Sequence, residues 1–296
     1  MELQVFVGDR VLALSRAGVS VFDAGFQSGD AVWEGLRVYR GRVYALDEHL
    51  TRLEHSAKAL RITLPFDRDR ISAAIEATLA ANGFVDGVHV RLMVTRGTRS
   101  TSGMDPRNAP AHGTLVIIPE AKPVEEFPAP QRLRTASIRR PHPHFIDPSI
   151  HHSNQLNSIL ARLEVIDDPN VDAALMLDAD GYVAEADTAN IFCVTDGAVC
   201  TPVPTACLHG LTRRTVLRLS HDLGLPTEEA RLTLFDLYTA DEVFLTGTVC
   251  ELVPVVEIDR RPIGSGAPGP VHAKLLGAYR DLVARSVDAA SQGRAT

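Results

Sequence analysis

The chain has 296 residues, 45% of them hydrophobic and 23% charged, a balance that fits a folded protein with a full core and two domains or one large one. A net charge of −7 and a pI near 5.9 argue against a general nucleic-acid partner. No charge run is long enough to act as a tail, and no apolar run approaches a membrane span.

Met1-Glu2-Leu3-Gln4 has no basic region leading into an apolar stretch, so no signal peptide is expected. Cys193, Cys200, Cys207 and Cys250 lack C-x-x-C spacing and read as reduced core residues, which suits the cytoplasm. Residues 3–7 and 10–14 alternate around Gly8-Asp9 as a β-hairpin would. A glycine-punctuated stretch follows (Gly25, Gly29, Gly35), then a strand at Leu36–Tyr39 and a helix from Leu46 with Asp47 placed to cap it. A helix over 71–82 and strands over 88–95 and 114–118 complete a first domain, residues 1–120.

Pro119, Pro123, Pro128 and Pro130 mark an exposed linker, placed at 121–131. The second domain, 132–296, alternates strands (132–139, 173–177, 182–184, 190–194, 243–246) with helical segments (152–166, 211–223, 270–289). There is no internal repeat.

Several separate blocks resemble one family. Asp23-Ala24-Gly25-Phe26-Gln27-Ser28-Gly29-Asp30-Ala31-Val32-Trp33-Glu34-Gly35-Leu36-Arg37 and Leu46-Asp47-Glu48-His49-Leu50-Thr51-Arg52-Leu53 match its N-terminal half. Leu208-His209-Gly210-Leu211-Thr212-Arg213, Thr246-Gly247-Thr248 and Val183-Ala184-Glu185 through Asn190-Ile191-Phe192 match its C-terminal half. Together with Ile150-His151-His152-Ser153-Asn154-Gln155-Leu156, they resemble the class IV aminotransferases. These are the fold-type IV pyridoxal-phosphate enzymes, which include branched-chain and D-amino-acid aminotransferases and aminodeoxychorismate lyase.

The resemblance implies an α/β fold, with an α+β N-terminal domain and an α/β C-terminal domain, the active site between them, and a homodimer. It implies that pyridoxal or pyridoxamine phosphate meets Arg52, Leu211, Thr212, Gly247 and Thr248 through its phosphate. A phosphate monoester needs such N–H and hydroxyl donors at a helix start. Glu185, with Asn190 beside it in the motif, implies a pyridine nitrogen kept protonated so that the ring draws electrons. Trp33 stands where the substrate pocket wall is often Phe, and Arg37 falls near the domain interface. Arg96 and Arg99, in a turn-rich stretch, could meet a substrate carboxylate. That loop lacks the paired Arg and His of D-amino-acid aminotransferases, so D-specificity is not supported.

The resemblance also exposes a difference. The family's lysine lies three or four residues before an Asn, which here is His151 or, at the longer spacing, Ile150. The three lysines of the chain, Lys58, Lys122 and Lys274, are far from that segment in sequence. Lysine holds the cofactor covalently, exchanges it with the incoming amine, and shuttles a proton; histidine can do only the last. Gln155 falls where the branched-chain subgroup often has a tyrosine.

The leading expectation is an aminotransferase-like enzyme for a small amino or 2-oxo acid, with the cofactor bound non-covalently and His151 or His152 as base. The alternatives are a lyase or hydrolase that works in the same cleft without cofactor, a non-catalytic binding protein, and a chain whose lysine was deliberately replaced. His142, His144, His151, His152 and His209 have poor spacing for chelation, and no metal is expected.

Overall fold

In the first half of the chain, period-2 apolar patterning and a period-3.6 pattern meet in one layer pair. The computed structural model describes residues 2–292, and the chain folds as two compact units. The first is Met1–Val124 together with Ile150–Gln155; the second is Glu125–Ser149 together with Leu156–Thr296.

The first unit contains β1 (Gln4–Val7), β2 (Arg10–Ala13), α1 (Ala24–Ser28), β3 (Ala31–Tyr39), β4 (Arg42–Val43), α2 (Leu46–Ala59), α3 (Arg68–Asn82), β5 (Val88–Thr95) and β6 (Thr114–Ala121). Its strands form one antiparallel sheet in the order β2-β1-β6-β5-β3-β4. Side chains alternate across a strand, so Val32, Leu36, Val90, Leu92 and Ile117 share the core with Leu50, Leu53, Ile71 and Ile75 of the two helices. Burial of such side chains, about 1.5–3 kcal/mol each, is what holds helix to sheet.

The α2 helix does not start on an Asp47 cap. Ala45 occupies the N-cap in the left-handed region (φ 53°) without a side-chain bond, and Asp47 lies inside the first turn, where its charge complements the helix dipole. Asp67 caps α3, accepting from the Arg70 N–H at 2.9 Å.

The second unit contains β7 (Gln131–Thr135), α4 (Leu156–Leu163), β8 (Ala173–Leu177), β9 (Val183–Ala186), β10 (Asn190–Thr195), β11 (Ala198–Pro202), α5 (Leu211–Asp222), β12 (Thr227–Ala230), α6 (Leu234–Tyr238), β13 (Glu242–Gly247), β14 (Glu251–Ile258), β15 (Arg261–Pro262) and α7 (Pro270–Gln292). Its nine-stranded mixed sheet runs β12-β11-β10-β13-β14-β7-β8-β9, with β15 on β14. Phe192 and Phe244 stack at 5.1 Å between neighbouring strands.

Two segments depart from the sequence reading. The proline-rich stretch is not wholly an exposed linker, because β6 runs to Ala121 and the Arg280 guanidinium donates to the carbonyls of Glu125 and Glu126 at 2.6 Å each. The helix expected from 152 begins only at Leu156. Before it, Ile150–Gln155 belongs to the first unit rather than to the second domain. There, His151–Ser153 runs antiparallel along β3: the Trp33 N–H donates to the His151 carbonyl (3.0 Å) and the Ser153 N–H to that of Ala31 (2.8 Å). The short β4 leaves this end of β3 unpaired, and the returning segment fills it.

Candidate functional site

In the first unit, period 2 sends Glu34 to the helix side of β3 and Trp33, Gly35 and Arg37 to the other. Glu34 is fully buried and its carboxylate accepts from three side chains. Arg52, one turn after His49 on α2, donates from Nε to Oε1 (2.8 Å) and from Nη2 to Oε2 (2.7 Å). His49 Nδ1 lies 2.7 Å from Oε2, and His151 Nδ1 lies 3.3 Å from Oε1. Burial would raise the Glu34 carboxyl, but His151 and Arg52 outweigh it and hold the group well below the usual carboxylate range. Burial in turn pushes the His151 imidazole below its ordinary value, with Glu34 pulling the other way.

The opposite face carries Trp33, Arg37 and a residue the sequence reading passed over. Arg91 on β5 faces Gly35 in register, and its guanidinium sits 4.1 Å over the Trp33 ring. The signal was available: once β3 and β5 are paired, Met93, Arg91 and His89 stand beside Trp33, Gly35 and Arg37. Arg37 is 1% exposed, and its Nε and Nη1 have no hydrogen-bond partner among the described residues. Burial and the nearby Lys122 push His89 down to about 4, so it stays neutral at neutral pH. A buried guanidinium with unfilled donors favours an anion, and a carboxylate fits it.

Arg96 and Arg99 are engaged elsewhere. Arg96 makes two bonds to Asp30 (2.6 and 3.0 Å) and donates to the carbonyls of Leu60 and Arg61. Arg99 donates to Asp30 (3.2 Å), to Ser28 and to the Gly103 carbonyl. Their bonded donors anchor the 96–103 loop and the end of α2, while Arg99 Nε is buried without a partner among the described residues.

In the second unit, β9 and β10 bring Glu185 beside Asn190. Glu185 is 5% exposed. Its Oε2 accepts from Asn190 Nδ2 (3.0 Å) and the Leu208 N–H (3.3 Å), while Oε1 lies 2.6 Å from Arg140 Nη2. Burial raises its carboxyl to about 7 against the pull of Arg140. A carboxylate has about four acceptor sites, so one remains on Oε1. Arg140 is a second residue missed from the sequence; only the fold brings its loop to β9.

The Asn190 side-chain oxygen Oδ1 stands where a Gly210 side chain would go, 2.0 Å from an ideal Cβ. Gly210 caps α5 without a side-chain bond, leaving the helix-start N–H groups of Leu211 and Thr212 to face an anion. The Thr246 hydroxyl is buried without a partner among the described residues, and Gly247 and Thr248 follow it at the end of β13. This set of hydroxyls and N–H groups fits a phosphate monoester, and the spare Glu185 lone pair fits a ring nitrogen.

Three of the four cysteines are buried and none is in a disulfide. His142 and His144 meet edge to face at 4.6 Å. Among the described residues no group of three or more His, Cys, Asp or Glu is arranged to hold a metal ion, and no helix is long and apolar enough to cross a membrane.

A family model described as amino-transferase class IV matches residues 31–258. Branched-chain-amino-acid aminotransferase-like protein 2 of Arabidopsis thaliana is 47% identical over 282 residues, 95% of this chain and 50% of the relative. The chain thus spans about half the length of that relative. The branched-chain-amino-acid aminotransferase of Pseudomonas aeruginosa is 37% identical over 90% of this chain and 88% of its own. Among solved structures, the Thermoproteus uzoniensis branched-chain aminotransferase with norvaline superposes with a TM-score of 0.87 at 31% identity, covering 96% of this chain and 95% of that one. The T.th. branched-chain amino acid aminotransferase with pyridoxamine 5'-phosphate gives 0.89 at 32% identity, covering 96% and 94%. The architecture is therefore that of the fold-type IV enzymes, and the chain belongs to the class IV aminotransferase family.

Proposed function

We propose that this chain binds pyridoxal or pyridoxamine phosphate without a covalent link and acts on a small amino or 2-oxo acid, with His151 in the place of the family's lysine. The observation that carries this reading is the buried Glu185 carboxyl beside Asn190 and the Gly210-capped start of α5, a donor and acceptor set that suits a phosphorylated pyridine.

Leu211, Thr212, Gly247 and Thr248 would hold the phosphate; Arg52, the family's phosphate arginine by resemblance, is bound to Glu34 through Nε and Nη2. Glu185 would hold a proton at the ring nitrogen. When bound, the cofactor supplies an amino-group carrier and an electron sink. Arg37 and Arg91 offer donors for a substrate carboxylate, and Trp33 bounds the apolar part of the same sheet face. His151 would take the proton from the substrate carbon; its position against Glu34 favours it over His152. Of the three lysines, Lys58 and Lys274 are exposed, and Lys122, near His89, pairs with Glu120. Cys193, Cys200 and Cys207, buried and outside any disulfide, suit cytoplasmic residence.

The test is equilibrium dialysis and absorbance titration with pyridoxal phosphate, followed by assay of amino-group transfer to 2-oxo acids. Binding that borohydride cannot trap covalently in the native chain, and can trap in His151→Lys, supports the reading. A chain that takes up neither form of the cofactor overturns it and leaves a cofactor-free lyase or hydrolase, or a binding protein, as the reading to pursue.

A further inference from the structure

Four hydrogen bonds reach the Glu34 carboxylate: two from Arg52 and one each from His49 and His151. A carboxylate offers about four lone-pair sites, so every acceptor position is filled by a donor and none is left for a proton. An ionised carboxylate can only accept. Nδ1 of both imidazoles must therefore carry the hydrogen that bonds to it.

His151 is further restrained. Its N–H donates to Ser56 Oγ at 3.1 Å, its carbonyl accepts from Trp33, and its ring lies 4.2 Å from the Trp33 ring, centroid to centroid. The ring is thus gripped at Nδ1, along the backbone and on one face. Nε2 has no protein partner among the described residues, and the side chain keeps 10% exposure.

We propose that Glu34 is a positioning residue that fixes His151 as the Nδ1–H tautomer and leaves Nε2 as the proton acceptor for carbon acids in this site. A buried carboxylate that orients an imidazole and supports the charge it gains is a general device for making histidine a base. The inference rests on the substrate reading above, an amino or 2-oxo acid. In the step, the C–H bond beside the substrate carboxylate breaks and an N–H bond forms at Nε2. The electron pair stays on the substrate, and the new positive charge on the ring lies against Glu34, whose charge opposes that of the nearby Arg52 guanidinium. His49 shares the carboxylate but is 1% exposed, so of the two it is the structural donor.

The experiment uses the full chain with 15N-labelled histidine and two-bond proton–nitrogen correlation spectra. His151, assigned by loss of its signals in His151→Asn, is expected to show a protonated Nδ1 and a bare Nε2 at pH 7. In Glu34→Gln the fixed tautomer is expected to give way to a mixture. A wild-type His151 that is protonated at Nε2, or charged at pH 7, overturns the proposal even if the Glu34 variant does not fold.

A second arm follows exchange of the substrate α-hydrogen in deuterium oxide with pyridoxal phosphate added. Loss of 100-fold or more is expected in His151→Asn, with kcat falling in Glu34→Gln while KM holds; exchange that survives in His151→Asn overturns the role. Failure of the chain to bind the cofactor overturns the proposed function instead, and the tautomer result is read without it.

Discussion

Arg140 Nη2 and Glu185 Oε1 meet at 2.6 Å with both side chains largely buried. The arginine is what keeps a carboxyl that burial has already raised to about 7 from rising further. Because the folded value lies above the unfolded one, the native state binds the proton more tightly. Its contribution to stability is fully present below about pH 4.5 and is lost as pH rises through about 7, a few kcal/mol in all. Urea unfolding of wild type and Glu185→Gln across this range should show the difference, with the variant lacking that decline. In Arg140→Met the decline should extend to higher pH, since the carboxyl then loses its cation.

Gly210→Ala should damage the second-unit cluster without breaking the α5 backbone. Gly210 has an ordinary helical-cap conformation (φ −60°), so the obstacle is space: the new methyl group would sit 2.0 Å from Asn190 Oδ1. Asn190 must turn away, and its bond to Glu185 is then lost. Affinity for pyridoxal phosphate should fall tenfold or more, about 1.4 kcal/mol or above, while the unfolding midpoint changes little. Fluorescence titration beside a thermal melt checks both.

How much of this was legible in the sequence depends on the range of the interaction. Glu185 and Asn190 lie five residues apart on strands consecutive in the chain, and Thr212 opens a helix behind Gly210, so local motifs announced them. Arg91 faces Gly35 only once β3 and β5 are in register, and Arg140 reaches Glu185 from a loop without regular structure. No local pattern encodes either contact. The 150–155 segment misled for a related reason. The apolar spacing of Leu156, Ile159, Leu160 and Leu163 is truly helical, but the residues before it gain more from pairing with the free edge of β3. β14 was missed altogether: Pro254 interrupts its apolar run, although the strand is central to the sheet.

Arg96→Ala should be a stability variant and not a substrate-binding one. Its guanidinium ties Asp30 to the carbonyls of Leu60 and Arg61, which are orphaned at the end of α2. Removing it leaves Asp30 with Arg99 alone. The expected loss is about 2–4 kcal/mol of unfolding free energy, with KM for the substrate acid unchanged in the fraction that stays folded. A rise in KM of tenfold at unchanged stability would return Arg96 to the substrate site.

The homodimer that the family resemblance implies can be tested on α4. Only Ser158 and Ala161 of this helix are buried, whereas Leu156, Ile159, Leu160 and Leu163 are exposed at spacings of three and four, and Ile166 continues the row. An apolar stripe on the outer side of a short amphipathic helix is unfavourable in water and suits contact with another protein. A second copy of this chain is the partner we propose, since the family resemblance implies one. Light scattering coupled to size exclusion should give twice the chain mass of 32.1 kDa for the wild type. Ile159→Glu with Leu163→Glu places two charges in the stripe and should shift the protein to monomer, with the core of each unit intact by circular dichroism. A wild type that elutes as a monomer at micromolar concentration would assign the stripe to a different partner.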